Sequence, residues 1–335
     1  MPTDIRAPLV SVIVPVRNGA EDLRGLLECL ERQTLARDNF EIVIADDGSI
    51  DDGTKSLETA DGRVRVTYAP PANSYAARNR AVANSTAPVL AFCDADCRPE
   101  AAWLDEGLKA LGDADIVAGR IRLLPPERLT PWSLIDMESA KDHEHAVRNG
   151  VAETANLFLR RELFEDAGGF DDTLPEHGDF DFVERCVAGG ATLTFGAESV
   201  VWHPVRTSAL AVMRAMWKYN RWYATRVSRA RQRPSGVNLR EWVPLVQTIR
   251  GRRRVGRSLG PDQRWLGQNG VTPSRREIAQ AVPFMYLVMP YLRAAAQLRG
   301  WWDGRRLRRA WEPGPSAVSC RPIQTLHTRR SLPPN

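Results

Sequence analysis

The chain has 335 residues, of which 43% are hydrophobic and 26% are charged, and its formal net charge is +5. This composition excludes a wholly disordered chain and is typical of a globular protein with a sizeable core. Residues 1–8 lack the apolar segment of a secretory signal, and the five cysteines are scattered, so we expect reduced thiols and a cytoplasmic location. The longest uncharged apolar stretch, residues 278–292, contains two prolines and predicts an interfacial or core segment rather than a membrane span.

Apolar runs and helical spacing alternate along the first part of the chain. Leucines recur at helical spacing between residues 23 and 30, and Asn18 with Glu21 resembles the cap of that helix. Ser74 is predicted to cap a second helix that ends near residue 83. The apolar runs predict strands at residues 9–15, 40–45, 64–68 and 88–93. This alternation predicts an α/β fold with a mainly parallel sheet, helices on both faces and ligands beyond the carboxyl ends of the strands.

The pattern loosens after a predicted helix at residues 101–111 and a strand near residue 116. Residues 124–150 are rich in charge and proline, which predicts an irregular segment with some helix. A strand at residues 155–159, a helix to residue 167 and a turn at Gly168 and Gly169 are predicted next. From residue 208 onward the sequence predicts basic helices.

Acidic residues stand at the ends of two predicted strands. Asp94 and Asp96 follow a buried apolar run, and carboxylate oxygens at that spacing suit Mg²⁺ or Mn²⁺ together with substrate phosphates. Asp46 and Asp47 follow another strand, where a carboxylate can accept hydrogen bonds from a base or a ribose hydroxyl. Either cluster could instead serve only to form a turn, because Asp and Gly favour turns.

The predicted helix that begins at Ser74 carries Arg78 and Asn79 in its first turns. The exposed N–H groups and positive dipole end of such a helix suit a phosphate. The alternative is an ordinary exposed helix face.

Four segments, taken together, resemble the family 2 glycosyltransferases, which have the Rossmann-like GT-A fold. The segments are residues 12–18 (VIVPVRN), 44–49 (IADDGS), 77–79 (ARN) and 92–96 (FCDAD). The resemblance covers roughly residues 8–205 and implies metal-dependent transfer of a sugar, with inversion, from a nucleoside diphosphate that is most often UDP. It implies that Asp47, or Asp46, holds the nucleoside, and that Asp94 and Asp96 handle the ribose and the metal-bound diphosphate. The donor-binding residues expected on this basis are Pro15, Arg17, Asp46, Asp47, Arg78, Asn79, Asp94, Ala95 and Asp96.

The second half of the resemblance implies an acceptor side. Residues 155–161 (ANLFLRR) and 167–171 (AGGFD) match the family and lead to Asp179, which aligns with the catalytic base. Gly178 stands where the family has Glu. Asp181 aligns with a second acid, and we expect Asn156 and Asp181 to bind the acceptor. Asp179 could also serve as a helix N-cap.

Two later motifs extend the expected site. His203 ends an extended run at a place where related enzymes have a histidine near the metal, so Asp94, Asp96 and His203 are the expected metal ligands. A purely structural histidine is the alternative. Residues 218–222 resemble the Gln-x-x-Arg-Trp motif of processive synthases, with Lys218 in place of glutamine. Lys218 and Arg221 would hold the leaving diphosphate and Trp222 would stack on the acceptor, unless this helix is merely amphipathic.

These assignments predict three regions. Residues 1–205 form the GT-A domain, with a nucleotide-sugar half at 8–120 and an acceptor half at 121–205; residues 206–312 form a basic helical extension, and residues 313–335 a flexible tail.

A basic segment suggests a surface for anionic partners. Between residues 226 and 264, eleven arginines stand against two acids. We expect it to meet an anionic membrane on the cytoplasmic side, with residues 284–289 at the lipid interface, which would suit a lipid-linked acceptor. The alternative is a solvated loop or helix face, and the expected acceptor is a glycan or a lipid-linked molecule. Nucleic-acid binding is not expected, because no recognition motif accompanies the arginines. A sugar-nucleotide-binding module without catalysis remains the alternative function.

Overall fold

The computed structural model describes residues 7–50, 53–59, 61–138, 143–174, 176–229, 266–267 and 270–310. The strands in these residues are β1 Val10–Val16, β2 Phe40–Asp46, β3 Val64–Tyr68, β4 Val89–Phe92, β5 Arg98–Pro99, β6 Ile116–Leu124, β7 Leu157–Arg160 and β8 Leu193–Pro204. The helices are α1 Ala20–Glu31, α2 Ser74–Ala83, α3 Trp103–Leu111, α4 Pro131–Glu138, α5 His143–Arg148, α6 Arg161–Asp166, α7 Gly178–Ala188, α8 Ala209–Arg229, α9 Arg275–Leu287 and α10 Met289–Ala310.

All strands of the described residues form one sheet in the order β3-β2-β1-β4-β7-β6-β8-β5. In its first half, β1 pairs in parallel with β2 and β4, and β2 pairs in parallel with β3. Val16 lies opposite Asp46, so the carboxyl ends of these strands meet at one edge of the sheet. That edge is where the sequence places its acidic clusters.

The second half of the sheet is mixed. β7 runs antiparallel to both β4 and β6, whereas β8 is parallel to β6 and antiparallel to β5. Four of the seven described strand pairings are therefore parallel, which confirms the predicted α/β class. The two residues of β5 pair Arg98 with Trp202, and this pairing draws the turn before β5 towards the end of β8.

Core clusters cover both faces of the sheet. One contains Leu23, Leu26 and Leu30 of α1 together with Trp103 of α3, all almost fully buried. The other contains apolar residues of α2, α6 and α7. The predicted leucine face of α1 is therefore confirmed, and burial of these faces is the main force that holds the helices on the sheet.

The helix starts differ in detail from the prediction. Asn18 does not cap α1, whose N-cap position is Gly19. Asn18 adopts a left-handed conformation (φ 54°), and its Oδ1 accepts a hydrogen bond from the Ile50 N–H (2.9 Å). Asn73, rather than Ser74, caps α2 by accepting the N–H groups of residues 75 and 76. The predicted turn at Gly168 and Gly169 is confirmed, with φ of +73° and +71°.

A third core cluster joins α4, α8, α9 and α10. Met285, Tyr286 and Met289 are at least 92% buried in it, and Phe284 packs on Trp132 with ring centroids 4.5 Å apart. The expectation that residues 284–289 lie at a lipid interface is therefore contradicted for most of this run, which fills the space between helices, whereas Leu287 is 62% exposed. No helix in the described ranges is long and apolar enough to cross a membrane. The expected tail at 313–335, and residues 230–264 of the arginine-rich segment, lie outside the described residues.

Candidate active site

A cavity of about 350 Å³ lies beyond the carboxyl ends of β2 and β3. Its lining residues are Asp46, Gly48, Ser49, Thr54, Lys55, Tyr68, Ala69 and Pro70. The carboxylate of Asp46 accepts hydrogen bonds from the Ser49 N–H (2.7 Å) and the Thr54 hydroxyl (2.5 Å). Burial disfavours the ionised form, but these bonds outweigh it and lower the pKa of Asp46 below its usual value. Asp46 therefore shapes the loop around the cavity.

The carboxylate of Asp47 accepts fewer of the described hydrogen bonds from the surrounding loop than that of Asp46. Its Oδ1 accepts the Ala72 N–H at 2.9 Å, and the residue is 5% exposed. Pro15 is half-buried in β1, and Arg17 is exposed just beyond that strand. These positions are consistent with the predicted preference for Asp47 as the nucleoside-binding acid, which stays a prediction.

Arg78 and Asp94 form a largely buried ion pair. The Arg78 guanidinium donates to Asp94 Oδ1 at 2.5 Å, and its side chain is 6% exposed. The same guanidinium lies over the ring of Tyr75, 5.8 Å from its centroid, and Arg78 Nε is buried without a hydrogen-bond partner in the described residues. The pair positions the Asp94 carboxylate, and the unsatisfied Nε leaves a donor at the boundary of the site.

Asp96, Cys97 and His203 form a group that could hold a metal ion, with their ligand atoms all within 4.8 Å of one another. His203 Nδ1 lies 2.9 Å from the Pro204 carbonyl oxygen. A carbonyl can only accept, so Nδ1 carries the proton and Nε2 keeps its lone pair for a ligand. A hydrogen bond to Cys93, together with burial, raises the pKa of the Cys97 thiol. Burial also raises the pKa of Asp96.

The predicted base Asp179 lies in the first turn of α7. Its Oδ1 accepts the Phe180 N–H (3.0 Å) and its Oδ2 accepts the Thr154 N–H (3.4 Å). The N-cap position of α7 is His177, so Asp179 is not the cap residue. Two backbone N–H groups, one in α7 and one in the segment before β7, therefore orient its half-buried carboxylate.

Tyr75 connects Asp179 to the Arg78–Asp94 pair. Its ring packs so closely on Gly178 that a Cβ there would lie 3.0 Å from the ring carbons. Burial raises the pKa of the Tyr75 phenol, and the negative charges of Asp179 and Asp94 both contribute to the rise. A continuous chain of contacts therefore runs from Asp94 through Arg78 and Tyr75 to the start of α7.

An aromatic cluster flanks Asp179. The ring of His177 stacks on Trp222 (centroids 4.5 Å apart, 30° between planes), and Phe180 meets Trp222 edge-on at 5.1 Å. Lys218 of α8 also approaches this cluster: its Nζ lies 3.9 Å from Oε1 of Glu176, which directly precedes His177 in the chain. Trp222 therefore lies beside the predicted base, as an acceptor-stacking role requires, although that role stays a prediction.

Two expected site residues, both asparagines, are engaged by partners inside the fold. Asn156 is fully buried: its Oδ1 accepts the Trp103 indole N–H, and its Nδ2 donates to two backbone carbonyls. The acceptor-binding role predicted for Asn156 is therefore wrong. Asn79 bonds both backbone groups of Phe170 and fixes the glycine turn rather than facing a donor.

Arg221 is also engaged by a partner inside the fold. Its Nε donates to Asp303 Oδ2 at 2.8 Å, so it fastens α8 to α10, and its predicted contact with a leaving diphosphate stays a prediction. Asp181 pairs with Arg185 along α7 (3.0 Å), and no described contact supports its predicted acceptor role. Ala95 is half-buried and packs against the first core cluster.

Tyr75 and His177 were missed by the sequence interpretation. Tyr75 stands within a helix next to the more conspicuous Arg78, and its contact with Gly178 joins residues about a hundred positions apart. His177 has a left-handed backbone (φ 55°), which nothing in its neighbours predicts. Only the proximity of His177 to Asp179 along the chain could have indicated its place in the site.

The sequence of this chain is similar to those of known glycosyltransferases. The model of glycosyl transferase family 2 matches residues 11–168. Glycosyltransferase AglE of Haloferax volcanii is 33% identical over 207 residues, which make up 59% of this chain and 68% of that protein. The pre-mycofactocin glycosyltransferase of Mycobacterium tuberculosis is 30% identical over 210 residues, which make up 59% of this chain but only 43% of the relative.

Solved structures agree with the fold. The mannosyltransferase PcManGT of Pyrobaculum calidifontis, solved with GDP-Man and Mn²⁺, has a TM-score of 0.57 and 17% identity, with 89% of this chain and 88% of that chain covered. The mixed sheet with an acidic carboxyl edge is that of a GT-A glycosyltransferase. Within that class, the chain belongs to glycosyl transferase family 2.

Proposed function

We propose that this glycosyltransferase moves a sugar, with inversion, from a nucleoside diphosphate sugar to a hydroxyl of a glycan or lipid-linked acceptor. UDP is the donor nucleotide we expect, from the family resemblance alone. The proposal rests on one observation: Asp94, Arg78, Tyr75 and the Gly178–Asp179 turn form a continuous line of contacts. An acid that handles a diphosphate and an acid that activates an acceptor must lie on either side of one sugar, and this line of contacts supports that arrangement.

Asp179 is the proposed general base. As the acceptor oxygen attacks the anomeric carbon, the carboxylate takes its proton, and the bond to the diphosphate breaks on the opposite side of the carbon. The hydrogen bonds from Phe180 and Thr154 hold the carboxylate in one orientation. Positioning of this kind lowers the entropic cost of reaching the reactive geometry. The buried Arg78 guanidinium balances negative charge at the donor side.

The test of the base is Asp179→Asn. We expect the variant to fold and to bind nucleotide, but to transfer sugar roughly 10²–10⁴-fold more slowly, because the amide cannot accept the proton. Nucleotide release would be followed over a panel of nucleoside diphosphate sugars, and nucleotide binding by calorimetry.

Asp181→Asn is the matched control, since it removes a neighbouring carboxylate that pairs with Arg185. It should retain most of the activity. Normal turnover by Asp179→Asn would overturn the base assignment. Nucleotide binding without release from any donor, in the unaltered protein, would favour a binding module without catalysis.

A divalent cation is the proposed cofactor, held by Asp96 and His203 with Asp94 nearby. When bound, it would supply positive charge that stabilises the leaving diphosphate. The donor set of a carboxylate and an imidazole nitrogen fits Mn²⁺ better than Mg²⁺, which prefers oxygen. His203 offers Nε2 because its Nδ1 is engaged by the Pro204 carbonyl.

Removing the carboxylate of Asp96 should directly weaken the binding of the metal ion. We expect Asp96→Asn to reduce Mn²⁺ affinity about tenfold or more, since loss of even an outer partner of a metal ligand has effects of that size. The measurement is Mn²⁺ binding by electron paramagnetic resonance, with and without UDP. Asp113→Asn is the control, because Asp113 is an exposed acid outside the group. Unchanged affinity in Asp96→Asn would refute the site.

A further inference from the structure

The outer side of α10 presents a stripe of large apolar side chains. Tyr291 and Leu298 are each 48% exposed and Trp302 is 55% exposed, and Leu287, at the end of α9, is 62% exposed. Within α10, the spacing of seven and four residues places Tyr291, Leu298 and Trp302 on one helical face, and Leu287 lies just before this helix. The opposite face packs on α8, where Gly300 lies directly against the backbone of Arg221. Exposed aromatic and leucine side chains in such a row indicate an interaction surface.

The stripe is set in strong positive charge. Residues 289–310 contain six arginines and one acid, Asp303, so the helix carries a charge of six minus one, or +5. Asp303 is already paired with Arg221 and Arg299. Arg305 lies over the ring of Trp301 at 4.4 Å, close to the stripe. A partner for this face must therefore be apolar in its interior and negatively charged at its surface.

We propose that the outer face of α10 is the surface by which this glycosyltransferase lies on an anionic membrane. An interfacial helix with tyrosine, tryptophan and leucine on one face, flanked by arginine, has the chemistry of a lipid interface. Each arginine near an anionic lipid surface adds to the attraction. Of residues 284–289, the proposal keeps only the exposed Leu287, because Met285, Tyr286 and Met289 are buried.

Charge disfavours two other kinds of partner for this face of α10, namely another segment of the same chain and a second copy of the helix. Residues 230–265 contain nine arginines and two acids, and residues 311–335 contain three arginines and one acid. Both segments are positive, as is a second copy of α10. Each would bring like charge against a helix of charge +5, which opposes association. An anionic lipid surface is complementary in both charge and hydrophobicity.

The inference extends the proposed function to a lipid-linked acceptor. α10 is fastened to α8 by the Arg221–Asp303 ion pair, and the next residue along α8 is Trp222, beside Asp179. Only α8 therefore separates the membrane-facing helix α10 from the residues beside which the acceptor is proposed to bind. An acceptor anchored in the same membrane would reach those residues without leaving the lipid surface.

The test is flotation of the full-length protein with vesicles of phosphatidylcholine and phosphatidylglycerol, against vesicles of phosphatidylcholine alone. We expect binding to the anionic vesicles only, weakening with salt. The double variant Tyr291→Ser, Leu298→Ser retains every arginine. It should bind about tenfold or more weakly, since transferring the exposed halves of two large apolar side chains from water to lipid together contributes about that factor.

Leu9→Ser is the matched control, because Leu9 is 43% exposed at the start of the sheet, outside α10. It should bind as the unaltered protein does. Thermal unfolding should be unchanged in both variants, since the replaced side chains are half-exposed. Asp179→Asn should also still float, so failure of the catalytic proposal would not be mistaken for failure of this one. Equal flotation of the double variant and the unaltered protein, or a dimer that the double variant abolishes, would overturn the proposal.

Discussion

Gly178 directly precedes the proposed base, and its surroundings give a physical reason for the absence of a side chain. A Cβ at this position would meet three ring carbons of Tyr75 at 3.0–3.1 Å. Tyr75 is 7% exposed and packs on Phe170, with ring centroids 5.9 Å apart, so the ring has little room to move away. The tyrosine ring therefore occupies space that the family's glutamate side chain would need. The two positions are expected to be energetically coupled.

We expect Gly178→Glu to destabilise the protein by about 1–3 kcal/mol, because added atoms in a packed contact displace their neighbours. In a Tyr75→Ala background the same change should cost less, because the ring is gone. Tyr75→Phe keeps the ring and should give no relief, which separates the ring from the hydroxyl. Urea unfolding of the single and double variants measures the coupling. Equal costs of Gly178→Glu in the unaltered protein and in the Tyr75→Ala variant would rule out the contact as the reason for glycine.

Individual residues show where sequence reasoning succeeds and where it stops. Asp94 and Asp96 were predicted from a strand end, which is a local feature, and they lie at the edge of the sheet as expected. Asn156 was assigned to the acceptor, yet its partners are Trp103 and the backbone of residues 120 and 199. A buried amide that satisfies backbone carbonyls from distant segments leaves no pattern in the sequence nearby.

At the scale of elements, hydrophobic runs predicted the strands of the first half closely, because a strand buried on both faces has few polar residues. The direction of β7 was not predicted, since an apolar run of four residues does not indicate whether its neighbours are parallel. The two-residue strand β5 has no hydropathic signal at all. Its pairing with β8 nevertheless brings the turn that holds Asp96 close to His203.

The C-terminal helices show a related limit. The run at residues 278–292 was correctly predicted as a core or interfacial segment, and the structure places most of it in the core. Which residues of α9 and α10 face water depends on where α4 and α8 pack. Hydrophobicity alone therefore selected residues 284–289 for a membrane contact, whereas packing leaves Tyr291 and Leu298 exposed.

Across the whole molecule, the residues of the proposed reaction and a stabilising hydrogen-bond cluster around Glu41 lie at opposite edges of the sheet. The donor-side carboxylates of the site stand at the carboxyl ends of β2 and β4. At the amino ends, Glu41 accepts hydrogen bonds from the Ser11 hydroxyl (2.6 Å) and from the N–H of Thr86 (2.5 Å), and it pairs with Arg65 at 2.5 Å. This cluster joins β1, β2, β3 and the segment before β4. It can therefore be altered without touching the donor site.

The Glu41 cluster should make stability depend on pH. Burial disfavours the ionised carboxylate, but the hydrogen bonds from Ser11 and Thr86 and the charge of Arg65 outweigh burial and lower the pKa of Glu41. A carboxyl whose pKa is lower in the folded state stabilises the protein above its ordinary pKa. That contribution is lost as pH falls through the folded-state pKa. The unaltered protein should accordingly lose stability on the acid side.

Glu41→Gln tests this linkage. We expect it to lower the free energy of unfolding by about 1–3 kcal/mol at neutral pH, because a buried hydrogen-bonded charge is lost, and to flatten the acid limb of the stability curve. Some slope should persist, since hydrogen bonds from Thr192 lower the pKa of Asp115 as well. Glu21→Gln, at an exposed position on α1, is the control and should change neither quantity. Urea unfolding at acid and neutral pH measures both the free energy of unfolding and its dependence on pH. Mn²⁺ binding by Glu41→Gln should remain intact, because the cluster lies at the other edge of the sheet. An acid limb as steep in Glu41→Gln as in the unaltered protein would place the titrating group elsewhere.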